Sequence, residues 1–490
     1  VDQKALNLRE EEHMRTERKR MSRRDFLRLA ALGASGMALA ACAPKVEPTK
    51  AEVQKEPAKA LPSAEKVKIR YQSREPEMAG GIMQLWDEFY PAFREKNPSI
   101  EVEFLPDPGG ADRTEKSLAA MVAGDAPDLT EMCCWESTYF MQKGQTLDLQ
   151  PLIERDAAEV NMDDYLPNQF DPWKDEQGNI HLLPRFTGTQ VVYFNKDWFD
   201  KVGAAYPPQE WGAWGFDDYV ETCLKFVSRE QPITWGTSNY GYGANWLSQY
   251  LIRGFGAHMV NPDDHNESGL CEPKAIDALK WIHKGIWEDH TFSYGSEMGG
   301  LGLEQLFYGE RIAMMEIGPW QLGPTVENAR FKWDVAPMPD GPAGPTTHQS
   351  VDGTFIWKGT PHKEESWTLT KALTSTDYGR LYIKYATKQP SRKSILPEFA
   401  QILREQNEIY KDIKLEVFTD SIAKNLGGPE EMFNNDQVCK SQILQPAFDR
   451  VMLLNEAPVD LICRHAELCG KFNRGEITVE NLGAALEAVQ

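Results

Sequence analysis

Val67, Ile69 and Tyr71 alternate with Lys68, Arg70 and Gln72, the period of a half-buried strand. Ile82, Leu85, Trp86, Phe89 and Phe93 then recur at helical spacing and predict an amphipathic helix that stops at Asn97-Pro98. Pro91 lies inside that stretch and argues against one continuous helix. Ile100, Val102 and Phe104 alternate again. Arg113–Ala123 reads as a helix closed by Gly124, and 128–132 as another short strand. The order β-α-β-α-β implies an α/β fold with a mostly parallel sheet covered by helices.

That order locates a site before any motif is invoked, because ligands of open α/β sheets bind in the crevice beyond the carboxyl ends of the strands. The first strand delivers Ser73, Arg74 and Glu75 there, and the third delivers Trp135, Glu136 and Ser137. These segments combine hydrogen-bonding groups with one large aromatic face. The competing reading is a solvated turn pair for Arg74 and Glu75, and core packing for Trp135.

Downstream, Arg185-Phe186-Thr187-Gly188-Thr189 precedes a strand-like run at 190–194. The stretches 217–227 and Pro273–Trp287 have helical periodicity, which makes Trp281 and Trp287 core residues. Asn261-Pro262-Asp263-Asp264-His265-Asn266 has the carboxylates of a calcium loop but not its twelve-residue spacing with a terminal Glu, so it reads as a hairpin turn. Ile312 and Met314 mark a buried strand. In Gly318-Pro319-Trp320 the proline suits a first helical turn and sets Trp320 at a helix start facing a strand end. From Lys363 onward the pattern is mainly helical, broken at Gln389-Pro390-Ser391-Arg392.

The N-terminal segment is an address rather than a domain. Arg23-Arg24-Asp25-Phe26-Leu27 precedes a short apolar run of small residues that ends at Leu39-Ala40-Ala41-Cys42. A basic head, a short apolar core and small residues at its end make an export signal, too short to span a bilayer. The first part resembles the twin-arginine signal and the second the lipobox of lipoproteins, in which the cysteine is lipidated. Residues 1–42 are therefore expected to be a signal region and Cys42 a lipid anchor. The prolines at 44, 48, 57 and 62, set among Lys and Glu, make 43–65 an extended tether.

Charge narrows the class of partner. Lys and Arg total 53 against 74 Asp and Glu, a net charge of −21, which argues against nucleic acid. Residues 1–41 hold nine basic and six acidic side chains, so their removal leaves −24. Eight Cys in 490 residues are too sparse for a disulfide scaffold, and no disulfide is expected to be needed. The length after the tether suits two cores better than one.

Asn97-Pro98-Ser99-Ile100-Glu101-Val102, Ala123-Gly124-Asp125-Ala126-Pro127-Asp128, Tyr193-Phe194-Asn195-Lys196-Asp197-Trp198-Phe199, Phe307-Tyr308-Gly309-Glu310 and Gly318-Pro319-Trp320 follow one another in this order. Behind a lipobox, the series resembles the extracellular solute-binding proteins of ABC importers, the class that includes maltose-binding protein. The resemblance implies a type II fold of two α/β lobes joined by a hinge of crossing strands, with the solute held between them. Carried over, lobe 1 would be 66–185 and 312–358, and lobe 2 would be 186–311 and 359–490. The crossings would fall at 185–189, 311–316 and 355–359. Trp135, Trp246, Trp320, Asp352 and Gly353 lie where the family lines its cleft. Tyr240, Tyr242 and Asn245 flank Trp246, and Thr187 lies at the first crossing. Arg74, Arg185 and Arg392 leave an anionic solute open. The implied partners are a small-molecule solute, carbohydrate first, and the transmembrane subunits of an ABC permease. The implied protein is a monomer, exported and held by lipid on the outer face of the cytoplasmic membrane.

An enzyme is the rival class. The chain lacks Cys-x-x-Cys, His-x-x-x-His, a phosphate loop and the Gly-x-Ser-x-Gly turn, and Gly241-x-Gly243 has Trp246 where a dinucleotide fingerprint needs its third glycine. Cys133-Cys134 read as small apolar residues. No cofactor or metal is expected. A glycoside hydrolase needs only two carboxylates, and Glu136 with Asp352 is the pair that could serve. Wide Trp faces for sugar C–H groups, with Asp, Asn and Arg for hydroxyls, favour a non-catalytic sugar binder.

Overall fold

The computed structural model describes residues 66–490 except 75–80, 106–112, 167, 176 and 239–242, and it describes the backbone alone at Cys134, Trp135, Trp246 and Ser296. The signal region, Cys42 and the tether lie outside the described residues.

The strands are β1 (Val67–Gln72), β2 (Ile100–Leu105), β3 (Leu129–Cys133), β4 (Leu183–Thr189), β5 (Val191–Asn195), β6 (Thr237–Ser238), β7 (Phe292–Ser293), β8 (Met314–Ile317), β9 (Trp333–Ala336), β10 (Thr347–Ile356), β11 (Gln389–Pro390) and β12 (Gly427–Gly428). The first sheet has the order β11-β4-β10-β3-β1-β2, with β12 beside β10. β1 pairs in parallel with β2 and β3, as the β-α-β-α-β pattern requires, and helices Ile82–Lys96 and Arg113–Ala123 make the crossovers. The sheet is parallel only that far. β10 runs antiparallel to both β3 and β4, because it re-enters from the second sheet at the end where β4 leaves, with Gln349 opposite Thr189.

Helix Ile82–Lys96 is continuous through Pro91. Pro91 and Asp87, four residues earlier, are both exposed, so the carbonyl that loses its partner lies within reach of water. Ile82, Leu85, Trp86, Phe89 and Phe93 form the buried stripe. They join Tyr71, Trp367, Tyr378 and Tyr382 in a core under the first sheet.

The second sheet, β8-β5-β9, is antiparallel and buried on every residue. Its core takes in helices Pro273–Trp287 and Asp460–Asn473 and most of the chain beyond Phe399. The chain passes from the first sheet to the second between Thr189 and Val191.

The expected return near 311–316 does not occur there. β8 pairs with β5, β9 follows on the other side of β5, and the chain comes back only with β10. Helices Lys363–Leu373 and Thr376–Ala386 pack on the first core through Trp367, Leu369, Leu373, Tyr378 and Tyr382, so 359–386 is not part of the second lobe. A strand such as Met314–Ile317, buried on both faces, carries no alternation to say which sheet it joins.

A disulfide joins Cys271 to Cys463, 192 residues apart, and ties the start of helix Pro273–Trp287 to helix Asp460–Asn473. The sequence reading did not single out this pair. No short spacing announces such a pair in the sequence. Among the described residues, no helix is long and apolar enough to cross a membrane.

Candidate functional site

The carboxyl ends of β1, β3 and β4 meet on one edge of the first sheet, facing the second sheet. At that edge β1 hands over Ser73 and Arg74. β3 runs directly into helix Cys134–Gln142, whose first turn carries Glu136. β10 brings Asp352 opposite Cys133.

These elements assemble four charges. Arg74 donates from Nη1 to Asp352 Oδ2 at 2.8 Å, and its Nε lies 3.9 Å from Glu136 Oε2. Arg113 donates from Nε to Glu136 Oε1 at 2.6 Å. The Glu136 side chain is fully buried. Burial raises its pKa above the usual carboxylate value; Arg74 and Arg113 pull it back down, and Asp352 pushes with burial. Two guanidinium groups and two carboxylates thus offer planar donors and acceptors, with the positive charges balanced by the negative ones.

A second ion pair lies beneath this cluster and positions it. Glu131 on β3 is buried against Arg185 of β4, which also donates to Tyr71 Oη at 3.0 Å and to the hydroxyls of Tyr378 and Tyr382 at 2.8 Å each. Glu131 Oε2 accepts from the backbone N–H of Arg74 at 3.3 Å and from Ser73 Oγ at 3.5 Å. Glu131 therefore fixes the segment that carries Arg74. No binding role was read for it in the sequence; the available signal was a carboxylate inside an otherwise buried strand.

Several of the expected site residues have partners within the protein. Arg185 is committed to Glu131 and three tyrosines in the first core, not to the cleft. Arg392 is buried too: Nε donates to Thr374 O at 2.9 Å, Nη1 to Val160 O at 2.8 Å and Nη2 to Tyr165 Oη at 2.9 Å. It holds loop carbonyls together, and its guanidinium stacks on Tyr165 at 3.7 Å. Thr187 is buried in β4 and accepts from Gln349 Nε2 at 2.9 Å. Ser137 donates to Cys133 O at 2.8 Å and accepts from Trp173 Nε1 at 2.9 Å. Gly353 makes room for that same Trp173, whose ring would lie 2.6 Å from a Cβ at 353. Asn245 caps helix Trp246–Gly254, its Oδ1 accepting from the N–H of Leu247 at 3.0 Å and Ser248 at 3.3 Å.

Trp320 is half-buried and packs against both cores, edge-on to Phe186 at 6.1 Å, with Lys388 Nζ 5.9 Å from its ring. It stands at the start of a short helix, Pro319–Gln321, at the seam between the two cores. Ser73, Arg74, Glu136 and Asp352 are brought together. Glu75, Tyr240 and Tyr242, and the side chains of Trp135 and Trp246, lie outside the described residues.

Helix Cys134–Gln142 leads from this cluster to an open cavity of 860 Å³. One wall is Thr138, Met141 and Gln142 with Asp171, Pro172, Lys174, Asp175 and Gln177, which belong with the first sheet; the other is Arg253, the 258–266 turn and 428–434, which belong with the second. Its volume falls within the range of small-molecule pockets. The 261–266 stretch forms a hairpin turn, Val260 bridging Ser268 and Asn261 Oδ1 accepting from Asp263 N at 2.9 Å. Pro262, His265 and Asn266 of that turn border the cavity, a role the turn formers alone do not signal.

Two lobes with a polar cluster at the strand ends, and a cavity walled by both, define a protein that encloses a small solute. Residues 75–380 match the family model of the bacterial extracellular solute-binding proteins, and the chain belongs to that family. A relative from Brucella abortus (strain 2308), named only as a binding protein, is 26% identical over 307 residues, which is 60% of this chain and 69% of that one. The ABC substrate-binding protein Lmo0181 from Listeria monocytogenes, solved in complex with cycloalternan, superposes with a TM-score of 0.71 at 20% identity, covering 84% of this chain and 100% of that one. UgpB from Mycobacterium tuberculosis, solved in complex with glycerophosphocholine, gives a TM-score of 0.67 at 18% identity over 84% of this chain and 99% of that one. At such identities the structures share the two-lobed type II fold with this chain. The family consists of binding proteins, and it places this chain among exported proteins.

Proposed function

We propose that this chain is the solute receptor of an ABC importer and that its solute is an uncharged carbohydrate. The observation that carries the choice is the Arg74–Asp352–Glu136–Arg113 cluster. Both guanidinium groups are already paired with carboxylates, so a phosphate would have to break those pairs. A hydroxyl can accept from an Arg N–H while donating to a carboxylate, and so fits the cluster as it stands. The same pairing leaves Glu136 and Asp352 held as ion-pair partners, which supports a binding role over a hydrolytic one. The reading extends to a monomer that hands its solute to the permease, exported by the twin-arginine route and anchored through lipid on Cys42.

A thermal-shift screen of maltooligosaccharides, arabinooligosaccharides and glycerol phosphates tests the solute class. A true solute at 100 times its Kd adds about 2.7 kcal/mol of stability. A response to glycerol phosphates alone would overturn the carbohydrate reading, and steady release of nitrophenol from nitrophenyl glycosides would overturn the receptor reading. For the anchor, Cys42→Ser is expected to move the protein from membrane to soluble fractions and to abolish labelling with radioactive palmitate. Unchanged retention would refute lipidation.

A further inference from the structure

The segment that follows β12 is fastened to the second lobe along its whole length. It leaves β10, where Gly427 and Gly428 pair with Thr347 and His348. Arg253 Nη1 then donates to Pro429 O at 3.2 Å. Glu431 exchanges backbone hydrogen bonds with the Gln249 amide, at 2.9 and 3.1 Å. Its carboxylate accepts from the N–H of Met259 at 2.7 Å and Val260 at 3.0 Å, and meets His258 Nδ1 at 3.0 Å. Buried Lys440 donates to Glu431 O at 2.8 Å and pairs with Glu430 and Asp436 at 3.1 Å each. Asn434 N donates to His265 O at 3.1 Å, and the Phe433 side chain is fully buried.

One group of this strap points the other way. The Phe433 carbonyl accepts from Gln142 Nε2 at 3.1 Å, and Gln142 is the last residue of helix Cys134–Gln142, which belongs to the first lobe. Glu136 stands in the first turn of that same helix. The bond therefore joins a carbonyl held rigidly on one lobe to a donor on the helix that carries the polar cluster of the other, across the 860 Å³ cavity that both line.

We propose that the strap 427–436 is a clasp and that Gln142 is a positioning residue. Its bond to Phe433 O exists only when the lobes are together, so it favours the closed form without touching solute. The inference rests on the solute-receptor reading for what closure serves, but the clasp itself can be tested without any solute. The gain is a difference between closed and open forms, which is the only way a contact shifts such an equilibrium. Losing one neutral hydrogen bond of this kind changes the closed-to-open ratio about 2- to 12-fold.

Nitroxide labels at Gln177→Cys, on the first-lobe wall, and Asp263→Cys, in the turn whose neighbours Pro262 and His265 line the opposite wall, both exposed, would report lobe separation by pulsed electron resonance in the full-length, solute-free chain. Cys42 and Cys134 are first replaced by Ser; Cys133, Cys223, Cys439 and Cys469 are buried. Gln142→Ala is expected to move population from the short to the long distance by that factor, and Gln142→Glu likewise, since it loses the donor. Gln142→Lys, which keeps a donor, is expected to restore the parent distribution. The melting midpoint should stay within about 1 °C of the parent, whereas a merely structural role would lower it. Identical distance distributions in the parent, Ala and Glu forms would overturn the clasp. The solute screen is independent: no sugar response with a responsive clasp counts against the receptor reading alone, and a sugar response with an inert clasp counts against the clasp alone.

Discussion

Glu131 and Arg185 form an ion pair buried within the first lobe, and neither side chain exceeds 1% exposure. Ions taken out of water are tolerable only when paired and hydrogen-bonded on the remaining positions. Three tyrosine hydroxyls, Ser73 Oγ and the Arg74 N–H meet that need. The pair therefore links core integrity to the position of the cluster above it. Glu131→Gln keeps the shape but leaves Arg185 without a counter-charge, and is expected to destabilise by about 3–5 kcal/mol. Thermal melting of the variant checks this, and a drop equal to that of a surface Glu→Gln control would contradict it. Replacing both partners by apolar residues of similar volume should cost far less, because no ion is then stranded.

The strap around Asp436 shows how an element can carry a pH dependence. Asp436 is buried beside Lys440 and Glu430, and burial, aided by Glu430 and opposed by Lys440, raises its pKa to about 6. A carboxyl whose folded pKa lies above its unfolded value binds its proton more tightly in the native state. Its contribution is present in full below the unfolded value and is lost as pH rises through about 6. At roughly 1.4 kcal/mol per unit, the window from the ordinary carboxylate value upward is worth about 3 kcal/mol. Asp436→Asn removes the titration. Its melting midpoint is therefore expected to gain on the parent as pH is raised from 4 to 7, and parallel pH profiles would rule the effect out.

How much of each element could be read from the sequence depended on what its pattern recorded. Helices Ile82–Lys96 and Pro273–Trp287 carry one apolar stripe each, and that stripe is what buries. β8 is buried on all sides, so its pattern identified a strand but not its sheet, and the lobe boundary moved with it. Arg185 and Arg392 looked like ligand contacts because a lone arginine in a loop or strand gives no sign of its partner. Here the partners are Glu131, more than fifty residues earlier, and carbonyls near residue 160. The Arg74 cluster was half legible: the α/β crevice rule placed Arg74 and Glu136, and the family resemblance placed Asp352. Arg113 and the 428–434 wall had no local signal.

At the scale of the whole molecule, three stretches of chain join the lobes and permit one to move against the other. β4 runs into β5 across Thr189 and Gln190, β9 leads back to β10, and the chain crosses again between β11, which pairs with β4, and Phe399 in the second core. Each lobe keeps its own core on either side of these crossings. On the proposed reading, a solute seated on Arg74 and Asp352 in the first lobe gains its remaining contacts only when the second lobe comes down. It therefore binds the closed form more tightly, which is what closure requires. Shifting a population from 1:99 to 99:1 takes about 5.5 kcal/mol of that preference, and a micromolar affinity of about 8 kcal/mol is large enough to supply it. Small-angle scattering is expected to show a smaller radius of gyration when the solute found by the thermal screen is added. The labels at 177 and 263 should show the short distance gaining at the expense of the long one. A solute that stabilises the protein while leaving both quantities unchanged would mean that it binds one lobe alone, and closure would then play no part in its capture.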